Sequence, residues 1–229
     1  VTQIAQLLDG VMNECNFRAK GNYANATSQD ERQVFRLANR ARSSILRYPW
    51  AKLRRFGELT LTTDTVYNLP ADFHGLIPDT PRTNSRVLPV DVNTDPAIWS
   101  WLNTRQSMAG AQYRTRWFRD RVEFYRPRAG DVVRYEYWSS HPINDIGGSS
   151  KEKFTADSDE WMLDDDLLTW QIIWRFKKAK GIEDWQFDQI EANAYMKEFM
   201  GRQDPPKTVN LAGGNDWLAG EPHTDLWLD

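Results

Sequence analysis

The 229-residue chain predicts an α+β protein. A helical bundle of two N-terminal and two C-terminal helices brackets an antiparallel β insertion, and an extended C-terminal arm follows. Three observations predict it. Apolar residues recur at three- and four-residue spacing towards both ends, which marks one buried helix face. Between residues 56 and 140 the period falls to two, and turn residues punctuate short runs. After residue 203 neither period survives, and Pro, Gly and Asn take over. The divisions that follow are 1–55, 56–140, 155–202 and 203–229.

The first helix, within residues 1–18, sets Ile4, Leu7, Leu8, Val11 and Cys15 on one face. "GNYANATSQD" is a polar loop in which Thr27 or Ser28 can cap the second helix, with Glu31 in its first turn. That helix, Gln29 to Tyr48, turns Val34, Leu37, Ala38, Ala41, Ile45 and Leu46 inward. Its other face is basic, with Arg32, Arg36, Arg40, Arg42 and Arg47. Pro49 ends it, because the residue before a proline is pushed out of the helical region.

The middle begins with a hairpin carrying Leu59, Leu61, Val66, Tyr67 and Leu69, with "TTD" at its turn. "LPADF" then forms a rigid corner: Pro70 fixes the backbone, Leu69 and Phe73 pin the exit, and Asp72 makes a turn. "RVLPVDV" is an edge strand interrupted by Pro89. "TDPAIWSWLNTRQ" is a short helix with Thr94 as cap and Pro96 in the first turn. Strands at about 112–118, 121–126 and 131–138, joined by short turns, make an antiparallel meander. "SSHPINDIGGSS" is a flexible polar loop.

In "DSDEWMLDDDLLTWQIIWRFKKAKG" the acids come first and Arg175, Lys177, Lys178 and Lys180 come last, the order that suits a helix dipole, with Gly181 as C-cap. The final helix offers Trp185, Ile190, Ala194 and Met196–Phe199 for packing. The arm "QDPPKTVNLAGGNDWLAGEPHTDLWLD" keeps Leu211, Trp217, Leu218, Leu226 and Trp227 among its turns. Disordered segments are poor in such anchors, so the arm is expected to lie on another surface.

Composition narrows the function. The net charge is −3, hydrophobic residues make up 40% and the mean hydropathy is −0.69. No apolar run approaches the roughly 20 residues of a membrane helix, and the N-terminal segment is amphipathic rather than a signal peptide. The lone Cys15 forms no disulfide framework and no metal or redox pair, so it is a buried small hydrophobe in a reducing setting. Eleven Trp is several times an ordinary share, and large aromatics concentrate at protein interfaces.

No catalytic constellation emerges. His74, His141 and His223 are far apart in sequence, and none has a partner at metal-ligand spacing. The nucleophile-elbow, zincin, phosphate-loop and dinucleotide motifs are all missing from the chain. The acidic run Asp157, Asp159, Glu160, Asp164, Asp165 and Asp166 lies before a helix, where capping accounts for it better than a metal-dependent hydrolase built on Asp164 and Asp166. Arginines interleave with aromatics in "YRTRWFRDRVEFYRPR", which supports an alternative reading as a nucleic-acid-binding module. Strand alternation puts Arg114 and Arg116 opposite Tyr113, Thr115 and Trp117, so a solvated sheet face explains the same pattern.

With these elements placed, the chain resembles the head-to-tail adaptor (connector) proteins of short-tailed bacteriophages. The residues that carry the resemblance are "ILRYPWAKLRR", "YNLPADFHGL", "FYRPRAGDVVRYEYW" and "DSDEWMLDDDLLTWQIIWRFKKAKG", in that order over about residues 25–200. The resemblance implies a structural virion protein, made in the host cytoplasm and placed at the portal vertex. It implies a homo-oligomeric ring of about twelve copies. The portal protein sits above, tail or nozzle proteins sit below, and DNA passes through the lumen without sequence-specific binding. It implies no enzyme, no cofactor, no metal and no membrane. The expected contacts are Leu211, Trp217, Leu218, Leu226 and Trp227 on the portal or a neighbour. Arg36, Arg40 and Arg47 are expected at the subunit interface or lumen, and Tyr67, Phe73 and Trp117 towards the tail.

Overall fold

A computed structural model describes residues 2–19, 21–86, 88–105 and 112–203. Its helical body is built from α1 (Ile4–Glu14), α2 (Gln29–Ile45), α4 (Asp165–Lys180) and α5 (Trp185–Gln203), while α3 (Pro96–Arg105) belongs to the insertion. The central helix is α4, which packs against α5, α2 and α1. Its ends follow the sequence. Asp164 Oδ1 accepts the Leu167 N–H at 2.9 Å as N-cap, and Gly181 takes the left-handed conformation at φ 68° as C-cap.

The predicted inward face of α2 is buried at Val34, Leu37, Ala38, Ala41 and Ile45. Each large side chain there contributes roughly 1.5–3 kcal/mol. Cys15 joins this core, and burial pushes its thiol up to about 11. Leu7 is only half-buried, and Ser28 makes no side-chain cap bond. On α5 the packing face is Ala192, Tyr195, Met196 and Phe199. Ile190 and Ala194, expected inward, are exposed, because α4 covers only the opposite side of that helix.

The helical core extends to Trp50, Ile143, Phe154 and Trp161. Trp50 is 1% exposed, donates Nε1–H to the Ile45 carbonyl at 2.8 Å and meets the Phe199 ring at 5.6 Å. It ties the C-terminal half of α5 to the segment that enters the β insertion.

The insertion has its own core of Leu61, Leu69, Phe73, Val90, Tyr113, Val122, Phe124, Val133, Tyr135 and Tyr137. Here the sequence reading needs correction. No hairpin joins the two strands around "TTD". Instead β1 (Arg54–Thr60) pairs with β7 (Val132–Ser139), and β2 (Val66–Asn68) pairs with β6 (Arg121–Phe124). A local turn lost to long-range pairing because β7 offers an eight-residue alternating strand, with one buried face, on which β1 finds a full register. β3 (Phe73–Leu76) and β4 (Arg82–Thr83) also pair with β7, and β5 (Thr115–Trp117) pairs with β6. The meander is therefore broken after β6.

Smaller corrections follow the same pattern. The described residues of 86–92 form no strand; Asp91 makes only an isolated bridge to Arg114. Asp95, not Thr94, caps α3, with Oδ1 accepting the Ala97 N–H at 2.7 Å. The 140–151 loop holds β8 (Ile143–Asn144) and β9 (Ser150–Lys151), which make a small sheet with β10 (Glu160–Trp161). This sheet packs under the helices through Ile143 and Trp161.

The "LPADF" corner behaves as expected. Leu69 and Phe73 are buried, and the Phe73 N–H donates to the Pro70 carbonyl at 2.9 Å. Asp72 accepts from the Tyr137 hydroxyl at 2.9 Å and the Ser139 hydroxyl at 2.8 Å, which fastens the corner to the end of β7.

Candidate functional site

The residues singled out in the sequence fall on three surfaces, and the structure treats them differently. The first is the outer side of α2. Arg32, Arg36, Arg40 and Arg47 stand at exposed positions opposite the buried face. Arg32 to Arg40 make a ridge about 12 Å long on the helix, and Arg47 stands just past its end. Among the described residues none of these four guanidiniums forms an ion pair. Arg42, by contrast, turns inward to the Glu152 carbonyl and pairs with its carboxylate at 3.8 Å.

The ridge continues onto α4 through Arg175, which the sequence reading had taken only as a dipole-matching charge. Arg175 donates to the Ser44 hydroxyl of α2 at 2.8 Å and to the Gln171 carbonyl at 2.5 Å. Its guanidinium also lies 4.2 Å from the Trp174 ring centre. Burial, reinforced by repulsion from Arg40 and Arg47, pushes it down to about 10. Positive charge is thus concentrated without a compensating carboxylate, an arrangement that favours an anionic partner. The clue in the sequence was a basic residue midway along the predicted α4, too far from its C-terminus for the dipole to explain.

The second surface lies on the β insertion. An open groove of about 620 Å³ is lined by Phe73, His74, Leu76, Asp79, Trp117 and Arg119 among others. Asp79 and Asn93 hold its rim at φ 59° and 57°, in the left-handed region that these residue types tolerate. Trp117 is half-buried: its Nε1–H donates to Thr115 Oγ1 at 2.9 Å, and its ring meets Tyr135 edge-on at 5.0 Å. Tyr67 is also half-buried, with its hydroxyl accepting the Thr62 N–H at 2.7 Å. Phe73 differs. It is 5% exposed and stacked between Trp117 and Tyr137, so it supports the groove and presents no free face to a partner.

The arginine–aromatic stretch of the insertion is largely satisfied internally. Arg114 pairs with Asp91, and Arg121 lies 3.4 Å from Glu123. Beyond the stretch, on β7, Arg134 pairs with Glu58 at 2.9 Å. Arg116 and Arg121 both stack over Phe118, at 5.4 and 4.7 Å. Guanidiniums held this way have less charge to offer a phosphate backbone than the open ridge on α2.

The acidic run has structural roles. Asp157 accepts the backbone N–H groups of Tyr23 and Ala24, each at 2.9 Å. Asp159 accepts those of Thr155 at 2.6 Å and Ala156 at 2.9 Å, and the Lys151 ammonium at 2.9 Å. Asp164 caps α4 and also takes the Tyr195 hydroxyl at 3.0 Å, while Asp165 bonds Thr2. Among the described residues no group of three or more His, Cys, Asp or Glu is arranged to hold a metal ion. His74 is exposed, and His141 approaches the Ser150 hydroxyl at 3.4 Å.

The third surface is the arm. Leu211, Trp217, Leu218, Leu226 and Trp227, with His223, lie outside the described residues.

Comparison with known proteins adds one match. The family model described as SU10 adaptor protein matches residues 2–209, a span that takes in both halves of the helical body and the whole β insertion. Among curated proteins nothing matches the chain.

Proposed function

This chain belongs to the SU10 adaptor protein family, and from that premise we propose that it is a head-to-tail adaptor of a bacteriophage, a structural part of the virion between portal and tail. The observation that carries the reading is the family match across residues 2–209.

In this reading the protein acts by geometry. Copies assemble into a closed ring of about twelve, whose symmetry requires each subunit to offer two complementary surfaces. The helical body forms the ring, and the arginine ridge of α2 with Arg36, Arg40 and Arg47 lies at the subunit contact or the lumen. The arm reaches the portal or an adjacent subunit, with Leu211, Trp217, Leu218, Leu226 and Trp227 as anchors. The groove around Trp117, with Tyr67 on the same three-stranded sheet, faces the tail. DNA crosses the lumen without sequence-specific contacts, and no cofactor takes part.

The test compares the full chain with a chain ending at residue 203, each mixed with its cognate portal complex and separated by sedimentation. Co-sedimentation of the full chain and loss of the truncated one supports both the connector role and the arm as its anchor. A full chain that stays unbound while the isolated protein shows salt-sensitive DNA affinity overturns it.

A further inference from the structure

The helical body is a row. Around α4, side chains at Trp174, Lys177 and Lys178 meet α5, whereas Arg175 and Lys180 reach α2: Trp174 stacks with Trp185, Lys177 pairs with Asp188, Arg175 bonds Ser44 and Lys180 bonds Asp30. The helices α2 and α5 therefore flank α4, and each keeps a solvent-exposed side, that of α2 bordering α4 at Arg175.

These exposed sides are unlike in kind. On α2 the exposed side is the ridge of Arg32, Arg36, Arg40 and Arg47, unpaired among the described residues and crowded further by Arg175. On α5 it is Phe187, Ile190, Glu191, Ala194 and Glu198, one stripe at helical spacing. Phe187 is 67% and Ile190 65% exposed, an unusual position for large apolar groups on a helix that already buries another face. Glu183 and Asp184 add exposed acid just before the helix, and Lys197 and Arg202 are basic positions on the stripe. Glu198 has only the exposed Arg202 of its own helix as partner, a contact that costs little to exchange.

We propose that the arginine ridge of α2 in one copy docks on the Phe187–Ile190–Glu191–Glu198 face of α5 in the next copy. The inference rests on the ring reading above and names the surfaces that close the ring. Its occupant is a second copy because one chain carries both halves of a complementary pair, on two different helices. That is what a head-to-tail, heterologous contact requires and what a two-fold dimer does not. The spacing agrees: Arg32 to Arg40 spans about 12 Å and Glu191 to Glu198 about 10 Å along their axes. Phe187 and Ile190 supply the dry centre and the charges the rim, the usual division within an interface.

The experiment is a charge exchange in the full-length chain, read as self-association by sedimentation velocity and as cooperative filling of the cognate portal. Arg32→Glu with Arg40→Glu, and separately Glu191→Arg with Glu198→Arg, should each weaken assembly at least about tenfold. A chain carrying all four substitutions should recover it, because each surface then meets its exchanged complement. All four positions are exposed, so melting temperatures should stay within about 2 °C of wild type. One-sided variants that assemble like wild type overturn the proposal. So does failure of the four-substitution chain to recover when it melts like wild type. Unchanged assembly with loss of salt-sensitive binding to duplex DNA in the α2 variant also overturns it, and gives the ridge to phosphate. If the wild-type chain itself never assembles, alone or on the portal, the adaptor-ring reading fails together with this contact. If wild type assembles and the variants are indifferent, only the contact fails.

Discussion

Asp159→Asn tests the clasp that closes residues 151–159, the turn on which the start of α1 rests. The Asp159 side chain is fully buried and accepts from two backbone N–H groups and from Lys151. Its own carbonyl accepts the Ile4 N–H at 2.8 Å, which seats the start of α1 against the C-terminal half of the bundle. Asparagine has nearly the same shape, but its amide nitrogen cannot accept, and it carries no charge for Lys151. With charge-assisted bonds at roughly 1.5–3 kcal/mol each, the expected cost is about 2–4 kcal/mol. A chain of this size moves roughly 2–4 °C per kcal/mol, so the midpoint should fall by about 5–15 °C.

The deficit should also depend on pH. Burial alone would raise this carboxyl, but the Thr155, Ala156 and Lys151 donors outweigh it and hold Asp159 below its ordinary 3.8. A carboxylate depressed in the folded state contributes stability above its unfolded value and loses it as pH falls through the folded one. Urea denaturation of both chains should therefore show a constant gap from pH 7 to about 5, narrowing below about 4. A gap under about 0.5 kcal/mol at pH 7 refutes the clasp. A gap that stays constant on acidification refutes its electrostatic origin.

Two further outcomes follow from the core. Trp50→Ala removes a buried ring, its bond to Ile45 and its contact with Phe199; it should cost about 3–5 kcal/mol by denaturant titration. A loss below about 1 kcal/mol would mean that α5 is not anchored there. Cys15, buried and pushed up to about 11, should react with a thiol reagent at pH 8 at least about a hundredfold more slowly in the native chain than in denaturant. Comparable rates in the two states would place it outside the core.

The sequence was most legible where structure is local. The cap at Asp164, the left-handed Gly181, the inward face of α2 and the Pro70–Phe73 corner all follow from residue types within a few positions of one another. It was least legible where distant segments compete. Residues 54–68 carry a plausible hairpin, yet their two halves enter different sheets because β7 and β6, much later in the chain, offer better partners. Ile190 illustrates the same limit on a helix: hydrophobicity marked it for packing, but only tertiary placement decides which of two apolar stripes meets α4.

The candidate surfaces divide likewise. Arg36, Arg40 and Arg47 were visible because a single helical period separates them from the core residues. Arg175 was missed because its proximity to Arg40 and Arg47 exists only after α2 and α4 pack. Phe73 is expected both to pin the corner and to face the tail, and only packing shows the Trp117 and Tyr137 rings that enclose it.

The most direct test of the adaptor reading is the mass of the complex formed when the purified full-length chain saturates its cognate portal ring. The account predicts one discrete assembly with about twelve copies of this chain in a closed ring. A complex that holds single or irregular numbers of copies, or no complex at all, would contradict it.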